Sequence, residues 1–281
     1  MLEITTPPIQ KDLETLLEET DYQNAEPFAH CSIDDLISDE LLEHVLDEFP
    51  DVKDESWLRR TRKNASVKKQ ISGSATNLGP YTSYLVGVLT SANFVRFLES
   101  LTGIDALVPD PHLTHGGLHQ YPRGGSLELH ADYSFLSELK MYRRVNLLLY
   151  LNPGWQEEYN GHLELWDADF KEHVEYLPTM NRTVIATIMP RGYHGLPAAI
   201  ACPESETRKS LAIWYYTSTL PRDLQVEYAA FEPAFIKRAN NMTLLDKLVP
   251  PILVEIWKQP RAFLIKLLPP GIVKYIRDRR S

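Results

Sequence analysis

Cysteine and long apolar runs are scarce in this sequence. Among 281 residues, Cys31 and Cys202 are the only cysteines, and their separation does not match a Cys-x-x-Cys metal or redox motif. A disulfide framework or a zinc site built on paired cysteines is therefore not expected. No stretch reaches the roughly 18 apolar residues of a membrane-spanning helix, and the segment from Met1 to Ile4 lacks the basic and apolar parts of a secretory signal. These absences predict a cytoplasmic protein with reduced thiols.

Positive charge is also in short supply. The chain has 29 Lys and Arg against 38 Asp and Glu, which gives a net charge of −9. A nucleic-acid partner is not expected, because binding to phosphates needs a surplus of basic side chains on one face. With 43% hydrophobic residues, a chain of this length can bury a sizeable core within one domain.

Residues 1–105 have the pattern of helices joined by loops, and we expect a helical layer that packs on a core. Apolar residues recur at helical spacing around Leu13 and again from Leu41 to Phe49. Ser38 is the predicted N-cap of the second helix, and Gly103 is the predicted stop of a later helix that begins near Asn93. Residues 53–78 are rich in charge, Ser and Asn, and predict an exposed loop.

Residues 106–220 change to short apolar runs separated by Pro, Gly and Asn. The runs 145–151, 163–166, 183–188 and 210–216 each have the length and composition of a β-strand. This pattern predicts a β sandwich or barrel as the core.

Residues 221–281 form a third segment, which is basic and apolar. From Ile236 to Ser281 there are ten Lys or Arg and three Asp or Glu, a local charge of +7. Apolar residues at helical spacing, interrupted by Pro250-Pro251, Pro260 and Pro269-Pro270, predict short helical pieces. Three interpretations stay open for this extension: packing on the core, a dimer contact, or peripheral contact with an anionic membrane.

His130-Ala131-Asp132 is the most informative short pattern. Residues i and i+2 of a strand point to the same side, so His130 and Asp132 could both reach one metal ion. His194 lies 62 residues after Asp132 and could arrive from another strand. Two histidines and one carboxylate on one face of Fe(II) leave coordination positions open for an oxidisable co-substrate and O2. A His-x-Asp pattern alone is weak evidence, because a chain with nine histidines often contains one by chance.

A wider resemblance supports that interpretation. From Gly117 to Thr217 the sequence resembles the Fe(II)- and 2-oxoglutarate-dependent dioxygenase superfamily in its prolyl-hydroxylase-like branch. Five pieces follow the family in order: LHQYPRGG at 118–125 before the His-Ala-Asp, NLLLYLN at 146–152, GHLELW at 161–166, His194-Gly195-Leu196-Pro197, and RKSLAIWYY at 208–216. Residues after about Pro221 are not covered by the resemblance.

The resemblance implies a mainly β fold with α-helices: a double-stranded β helix of the jelly-roll, cupin-like type with an N-terminal helical layer and a C-terminal helical extension. It implies Fe(II), 2-oxoglutarate and O2 as cofactors and co-substrates, with ascorbate as a candidate reductant. The implied metal ligands are His130, Asp132 and His194. Arg208 is the implied anchor for the far carboxylate of 2-oxoglutarate, aided by Tyr150, Asn146 and Tyr121.

The implied reaction is hydroxylation of an unactivated C–H bond coupled to decarboxylation of 2-oxoglutarate to succinate and CO2. Because Asp132 is a carboxylate, the sequence does not match the related halogenases, where a small residue stands at this position. Arg143 and Trp214 match positions that line the substrate mouth. The substrate itself stays open between a peptidyl, prolyl-type residue and a small molecule.

Two alternatives remain at this point. A cupin-type metalloenzyme would share the barrel and a histidine-rich site, but it would not need Arg208 and Tyr150. A non-catalytic binding module would keep the barrel without turnover. Dependence on 2-oxoglutarate discriminates both from a dioxygenase.

Overall fold

The computed structural model describes residues 2–60, 66–72, 78–110, 112–114, 116–132, 135–136, 139–190, 192–220, 224 and 235–236. Residues 1–237 form one compact unit. The helical pieces predicted for the basic extension, and the dimer or membrane contact considered for it, lie outside the described residues. None of the described helices is long and apolar enough to cross a membrane.

Two antiparallel sheets form the core. The larger sheet has the order β1-β12-β9-β14-β6-β4-β2, with β5 paired to β14 and β8 paired to β9. Its strands are β1 (His30–Asp34), β2 (Leu58–Arg60), β4 (Lys69–Ile71), β5 (Val108–Pro109), β6 (Gly117–Pro122), β8 (Phe135–Leu136), β9 (Met141–Tyr150), β12 (Arg182–Thr187) and β14 (Thr207–Thr217). The runs predicted at 145–151, 183–188 and 210–216 correspond to β9, β12 and β14.

The smaller sheet has the order β11-β10-β13-β7-β15, with β3 paired to β7. Its strands are β3 (Ser66–Val67), β7 (Ser126–His130), β10 (Leu163–Trp166), β11 (His173–Tyr176), β13 (Tyr193–Leu196) and β15 (Phe235–Ile236). The two sheets face each other, and the expected mainly β fold with a double-stranded β-helix core is confirmed.

The described residues include four α-helices, α1 (Leu13–Glu19), α2 (Asp39–Asp47), α3 (Pro80–Leu89) and α4 (Ala92–Thr102), and a short 3-10 helix at Glu157–Tyr159. Ser38 caps α2 as predicted, because its hydroxyl accepts a hydrogen bond from the Leu41 N–H at 3.4 Å. Gly103 ends α4 as predicted and has a left-handed φ of 69°.

The alternation of β9 explains how the helices and the site share one sheet. Val145, Leu147 and Leu149 point towards the helices and are buried in one cluster with Leu41, Leu85 and Leu98. Asn146, Leu148 and Tyr150 therefore point to the opposite face, between the two sheets. The helices thus brace one side of the large sheet while its other side is free to build a pocket.

The segment predicted as an exposed loop over 53–78 is the main correction to the fold. It contains β2, β3 and β4, and Trp57, Gln70 and Ile71 are buried. β3 pairs with β7 in the small sheet, and β4 pairs with β6 in the large sheet. This segment therefore connects the two sheets along one side of the core. Its charged composition hid strands whose burial depends on partners far away in the chain.

Candidate active site

His130, Asp132 and His194 meet between the two sheets. His130 is the last residue of β7, and it pairs directly with His194 on the neighbouring strand β13. Asp132 follows two residues after His130. One possible ligand atom from each of the three residues lies within 4.8 Å of the other two, and this is the one group of this kind within the described residues. The spacing that suggested a common metal site therefore brings together three residues that could hold a metal ion.

A hydrogen bond sets the orientation of His130. Its Nδ1–H donates to the carbonyl oxygen of Glu128 at 2.9 Å, since a carbonyl can only accept. This contact leaves Nε2, which lies 3.7 Å from Asp132 Oδ1, as the nitrogen that can bind a metal. His194 Nε2 lies 4.0 Å from Asp132 Oδ2.

Burial and charge favour the metal-binding protonation states. Burial and the nearby His194 lower the pKa of His130 to about 4, and burial also lowers the pKa of His194. Burial opposes ionisation of Asp132, but His194, Arg143 and His130 outweigh it and hold the pKa of that carboxyl below its usual range. The site therefore offers two neutral imidazoles and one carboxylate, a donor set that fits Fe(II) with open positions for other ligands.

A pocket that is open to solvent adjoins Asp132 and His194. Its walls are mostly apolar and come from both sheets. They include Leu148, Leu163, Leu165, Val184, Ala186 and Ile188, together with Asp132, Asn146 and His194. The side-chain oxygen Oδ1 of Asn146 is buried and has no hydrogen-bond partner among the described residues. A polar ligand in this pocket could provide that partner.

Arg208 lies on β14 among aromatic side chains. It is 3% exposed, and its Cζ lies 4.8 Å from the ring centre of Tyr150 and 5.9 Å from that of Tyr121. Its Nε–H donates to the carbonyl of Gly161 at 2.6 Å, which leaves the two outer nitrogens of the guanidinium for another acceptor. A carboxylate can accept from both of these nitrogens at once.

Tyr150 completes this end of the site. Its hydroxyl is buried and, apart from the neighbouring Arg208 guanidinium, has no hydrogen-bond partner among the described residues. Burial raises the pKa of Tyr150 against the opposing charge of Arg208, so the phenol keeps its proton as a donor. A buried cation beside a hydroxyl whose proton has no acceptor among the described residues fits the far carboxylate of 2-oxoglutarate.

Strand alternation separates Arg208 from the adjacent Lys209 on β14. Lys209 Nζ lies 3.4 Å from the carbonyl of Thr207 and 5.9 Å from the ring centre of Phe49, which packs with the helical layer. Burial lowers the pKa of Lys209. Of these two cations, only Arg208 points between the sheets.

Arg143 and Trp214 lie beside the metal ligands. Trp214 Nε1–H donates to Asp132 Oδ2 at 3.2 Å, and Arg143 Nη1 lies 3.7 Å from Asp132 Oδ1. The Arg143 guanidinium also stacks on the Trp214 ring, with 4.6 Å between Cζ and the ring centre. Both side chains are largely buried, at 4% and 8% exposure.

Lys69 is a residue at the site that the sequence did not indicate. It lies on β4, and its Nζ is 5.8 Å from the ring centre of Tyr121. Its charge is close enough to lower the pKa of both metal-site histidines. The segment around Lys69 is rich in charge, Ser and Asn and shows no strand pattern, so it was predicted to be a loop.

Comparison with known proteins agrees with this geometry. Residues 116–216 match the family model described as the 2OG-Fe(II) oxygenase superfamily. The chain is 25% identical over 248 residues to mouse (Mus musculus) prolyl 3-hydroxylase OGFOD1, covering 79% of this chain and 42% of the mouse protein. The chain thus spans less than half the length of that relative.

Two solved structures show the same fold at low identity. A prolyl hydroxylase from Trichoplax adhaerens, in complex with a hypoxia-inducible-factor peptide fragment, has a TM-score of 0.51 at 16% identity and covers 78% of this chain and 92% of its own. A prolyl-4-hydroxylase from Pseudomonas putida has a TM-score of 0.52 at 18% identity and covers 73% of this chain and 99% of its own. Residues 116–216, which contain His130, Asp132 and His194, therefore match the 2OG-Fe(II) oxygenase superfamily, and the two solved prolyl hydroxylases share the fold of this chain.

Proposed function

We propose that this protein is a dioxygenase that hydroxylates an unactivated C–H bond and decarboxylates 2-oxoglutarate to succinate and CO2. The observation that carries the proposal is the convergence of His130, Asp132 and His194 beside a pocket lined by Asn146, whose buried side-chain oxygen has no hydrogen-bond partner among the described residues. When bound, Fe(II) with 2-oxoglutarate and O2 supplies the oxidising chemistry, with ascorbate as the reductant that keeps the metal ferrous.

The residues of the chain bind and orient these groups. His130, Asp132 and His194 hold the metal, and the tautomer of His130 is fixed by the Glu128 carbonyl. Arg208 binds the far carboxylate of 2-oxoglutarate. Tyr150, Asn146 and Tyr121 are the further contacts we propose for the co-substrate.

The apolar walls of the pocket exclude water from the reacting atoms. Leu148, Leu163, Leu165 and Val184 present only carbon to the space between the sheets. A dry site strengthens each charge–charge contact within it and protects the reaction from side products. The substrate must therefore reach the metal from the mouth of the pocket, where Arg143 and Trp214 are candidates for contact with it.

We propose a peptidyl, prolyl-type residue as the first substrate class to test, because the mouse relative is described as a prolyl 3-hydroxylase. A small organic molecule is the second class. For the segment after residue 220, a dimer contact and peripheral membrane contact both remain proposals that rest on the sequence alone.

The experiment that tests the function is an anaerobic titration of the metal-free protein with Fe(II) and then 2-oxoglutarate, followed by visible absorption. We expect a charge-transfer band that requires both additions. The band should be absent in His130→Ala. Arg208→Ala should require at least about ten-fold more 2-oxoglutarate, since a buried charge-assisted hydrogen bond contributes about 1.5–3 kcal/mol.

Lys209→Ala is the matched control, because Lys209 is next to Arg208 in sequence but points to the helical side of β14. It should titrate like the wild type. A wild-type protein that binds iron but gives no band with 2-oxoglutarate would favour the cupin-type metalloenzyme. A protein that binds neither would favour the non-catalytic binding module.

A further inference from the structure

Asp132 is the ligand of the proposed metal site whose orientation depends most on other side chains. His130 and His194 lie on paired strands, whereas Asp132 follows the end of β7. Its carboxylate has two oxygen atoms and is 12% exposed. If one oxygen binds a metal, the other remains buried and needs a donor, because an unpaired buried carboxylate oxygen is costly.

Arg143 and Trp214 provide a donor or a cation for each of these oxygens. The Trp214 indole N–H donates to Oδ2 at 3.2 Å, and the Arg143 Nη1 lies 3.7 Å from Oδ1. Whichever oxygen binds the metal, the other keeps a protein partner. The two residues also hold each other, because the guanidinium stacks on the indole ring at 4.6 Å.

An irregularity in β9 is what puts Arg143 in this place. β9 and β14 pair Val145 with Tyr215, but the next pair is Arg143 with Tyr216, so Arg144 is skipped. This β-bulge turns Arg143 to the face that carries Asn146, where strict alternation would not put it. Arg143 Nε–H also donates to the Tyr216 hydroxyl at 3.3 Å, which fixes the guanidinium from a second direction.

We infer that Arg143 and Trp214 act as a pair of positioning residues that orient the Asp132 carboxylate for metal binding. This inference rests on the proposed function, since it assumes that Asp132 is a metal ligand. It differs from a role in substrate contact, because it predicts an effect on metal affinity before any co-substrate or substrate is present. Partners behind metal ligands change metal affinity by roughly 10- to 100-fold when they are removed.

The test is a titration of the metal-free full-length protein with Co(II) alone, followed by the visible absorption of the bound ion. Trp214→Phe removes the indole N–H but keeps a ring for stacking, and Arg143→Met removes the charge but keeps an apolar chain of similar length. We expect both variants to bind Co(II) roughly 10- to 100-fold more weakly, with altered absorption bands. Arg143→Lys should recover part of the affinity, because the positive charge returns.

Two matched controls separate this effect from general damage. Arg144→Met removes a neighbouring buried arginine whose contact is the Thr217 hydroxyl, at 3.4 Å. Trp57→Phe removes an indole N–H that donates to the Asp51 carbonyl at 2.7 Å, away from the metal ligands. Both should bind Co(II) with wild-type affinity and absorption.

Wild-type Co(II) affinity and absorption in both Arg143→Met and Trp214→Phe would overturn the inference. If Arg143→Met does not fold, Trp214→Phe alone decides in the same way. Failure of the wild type to bind Co(II) is a distinct result, because it would overturn the metal centre in the proposed function itself.

Discussion

Gly161 leaves little room beside Arg208, the proposed anchor for 2-oxoglutarate. Its φ is +80°, and a Cβ atom there would lie 3.0 Å from Arg208 Cδ and 3.3 Å from an Ile200 side-chain carbon. The Gly161 carbonyl also accepts the hydrogen bond from Arg208 Nε. Glycine therefore both permits the backbone conformation and leaves space for the arginine beside it.

We predict that Gly161→Ala displaces the Arg208 guanidinium and raises the half-saturating concentration of 2-oxoglutarate about ten-fold, or about 1.4 kcal/mol. Co(II) affinity should stay near the wild-type value, because the metal ligands are untouched. Both quantities are measured by titration of the purified variant. Gly154→Ala is the control, because Gly154 has a φ of +64° but nothing within 4 Å of its Cβ position. An equal effect of the two substitutions on 2-oxoglutarate binding would contradict the role given to Gly161.

The residues that sequence reasoning could place are those that follow simple strand geometry. Arg208 and Lys209 face apart because they are neighbours on β14, and the two-residue spacing predicted that Asp132 lies near His130, although Asp132 itself follows the end of β7. Arg143 could not be placed this way. Alternation from Asn146 would turn it to the helical side, and only the bulge opposite Tyr216, which is a property of the pairing of two strands, reverses it.

At the scale of elements, helix ends were predictable because their signals are local. The Ser38 hydroxyl caps the start of α2, and Gly103 ends α4 in the left-handed conformation. Both effects act within a few residues of the helix end. The strands β2, β3 and β4 are two or three residues long, and β2 and β4 carry basic side chains, so their own sequence gives little signal. β3 and β4 form because β7 and β6 supply hydrogen-bond partners from another part of the chain, and β2 in turn pairs with β4.

Gly103 offers a test of how much one helix end contributes to stability. A non-glycine residue at its φ of 69° is strained, and a Cβ there would also meet the amide of Gln23 at 3.0 Å. We predict that Gly103→Ala lowers the free energy of unfolding by about 1 kcal/mol, measured by urea denaturation. Gly103→Asn should lose less, because asparagine tolerates the left-handed region better. A loss in Gly103→Asn as large as that in Gly103→Ala would argue that crowding against Gln23, rather than backbone strain, decides the effect.

For the whole molecule, the pattern of apolar runs was enough to predict a β core but not how the chain closes it. The strands β9, β12 and β14 were visible because each buries a face of apolar residues. The first 105 residues were predicted to be a helical layer, and they do supply four helices, but they also supply β1 to β4. Such shared sheets arise from long-range pairing, which periodicity within one segment cannot reveal.

Burial of histidine gives the whole molecule a predictable response to acid. His30 is 4% exposed, and its Nδ1–H donates to the Phe28 carbonyl at 2.7 Å. Because a neutral imidazole has one N–H, the Nε2 atom of His30 accepts a hydrogen bond from the Tyr176 hydroxyl at 2.8 Å. Burial lowers the pKa of His30, as it does for His130 and His194. As pH falls through the ordinary histidine pKa of about 6.5, the unfolded chain takes up protons before the folded, metal-free protein does. The contribution of these histidines to the free energy of unfolding is therefore fully present above that pH, and it is lost as the pH falls below it.

We predict that the free energy of unfolding of the metal-free protein, from urea denaturation, decreases between about pH 7.5 and about pH 5.5, and that His30→Gln reduces this decrease. The variant should be less stable at about pH 7.5, since it loses the paired imidazole. Its total loss of unfolding free energy on acidification should be smaller by up to about 1.4 kcal/mol for each unit by which folding shifts the pKa of His30. His112→Gln, at an exposed position, controls for loss of an imidazole from the surface. A slope in His30→Gln equal to that of the wild type would mean that His30 takes up protons equally in both states, and the acid response would then have to come from other groups.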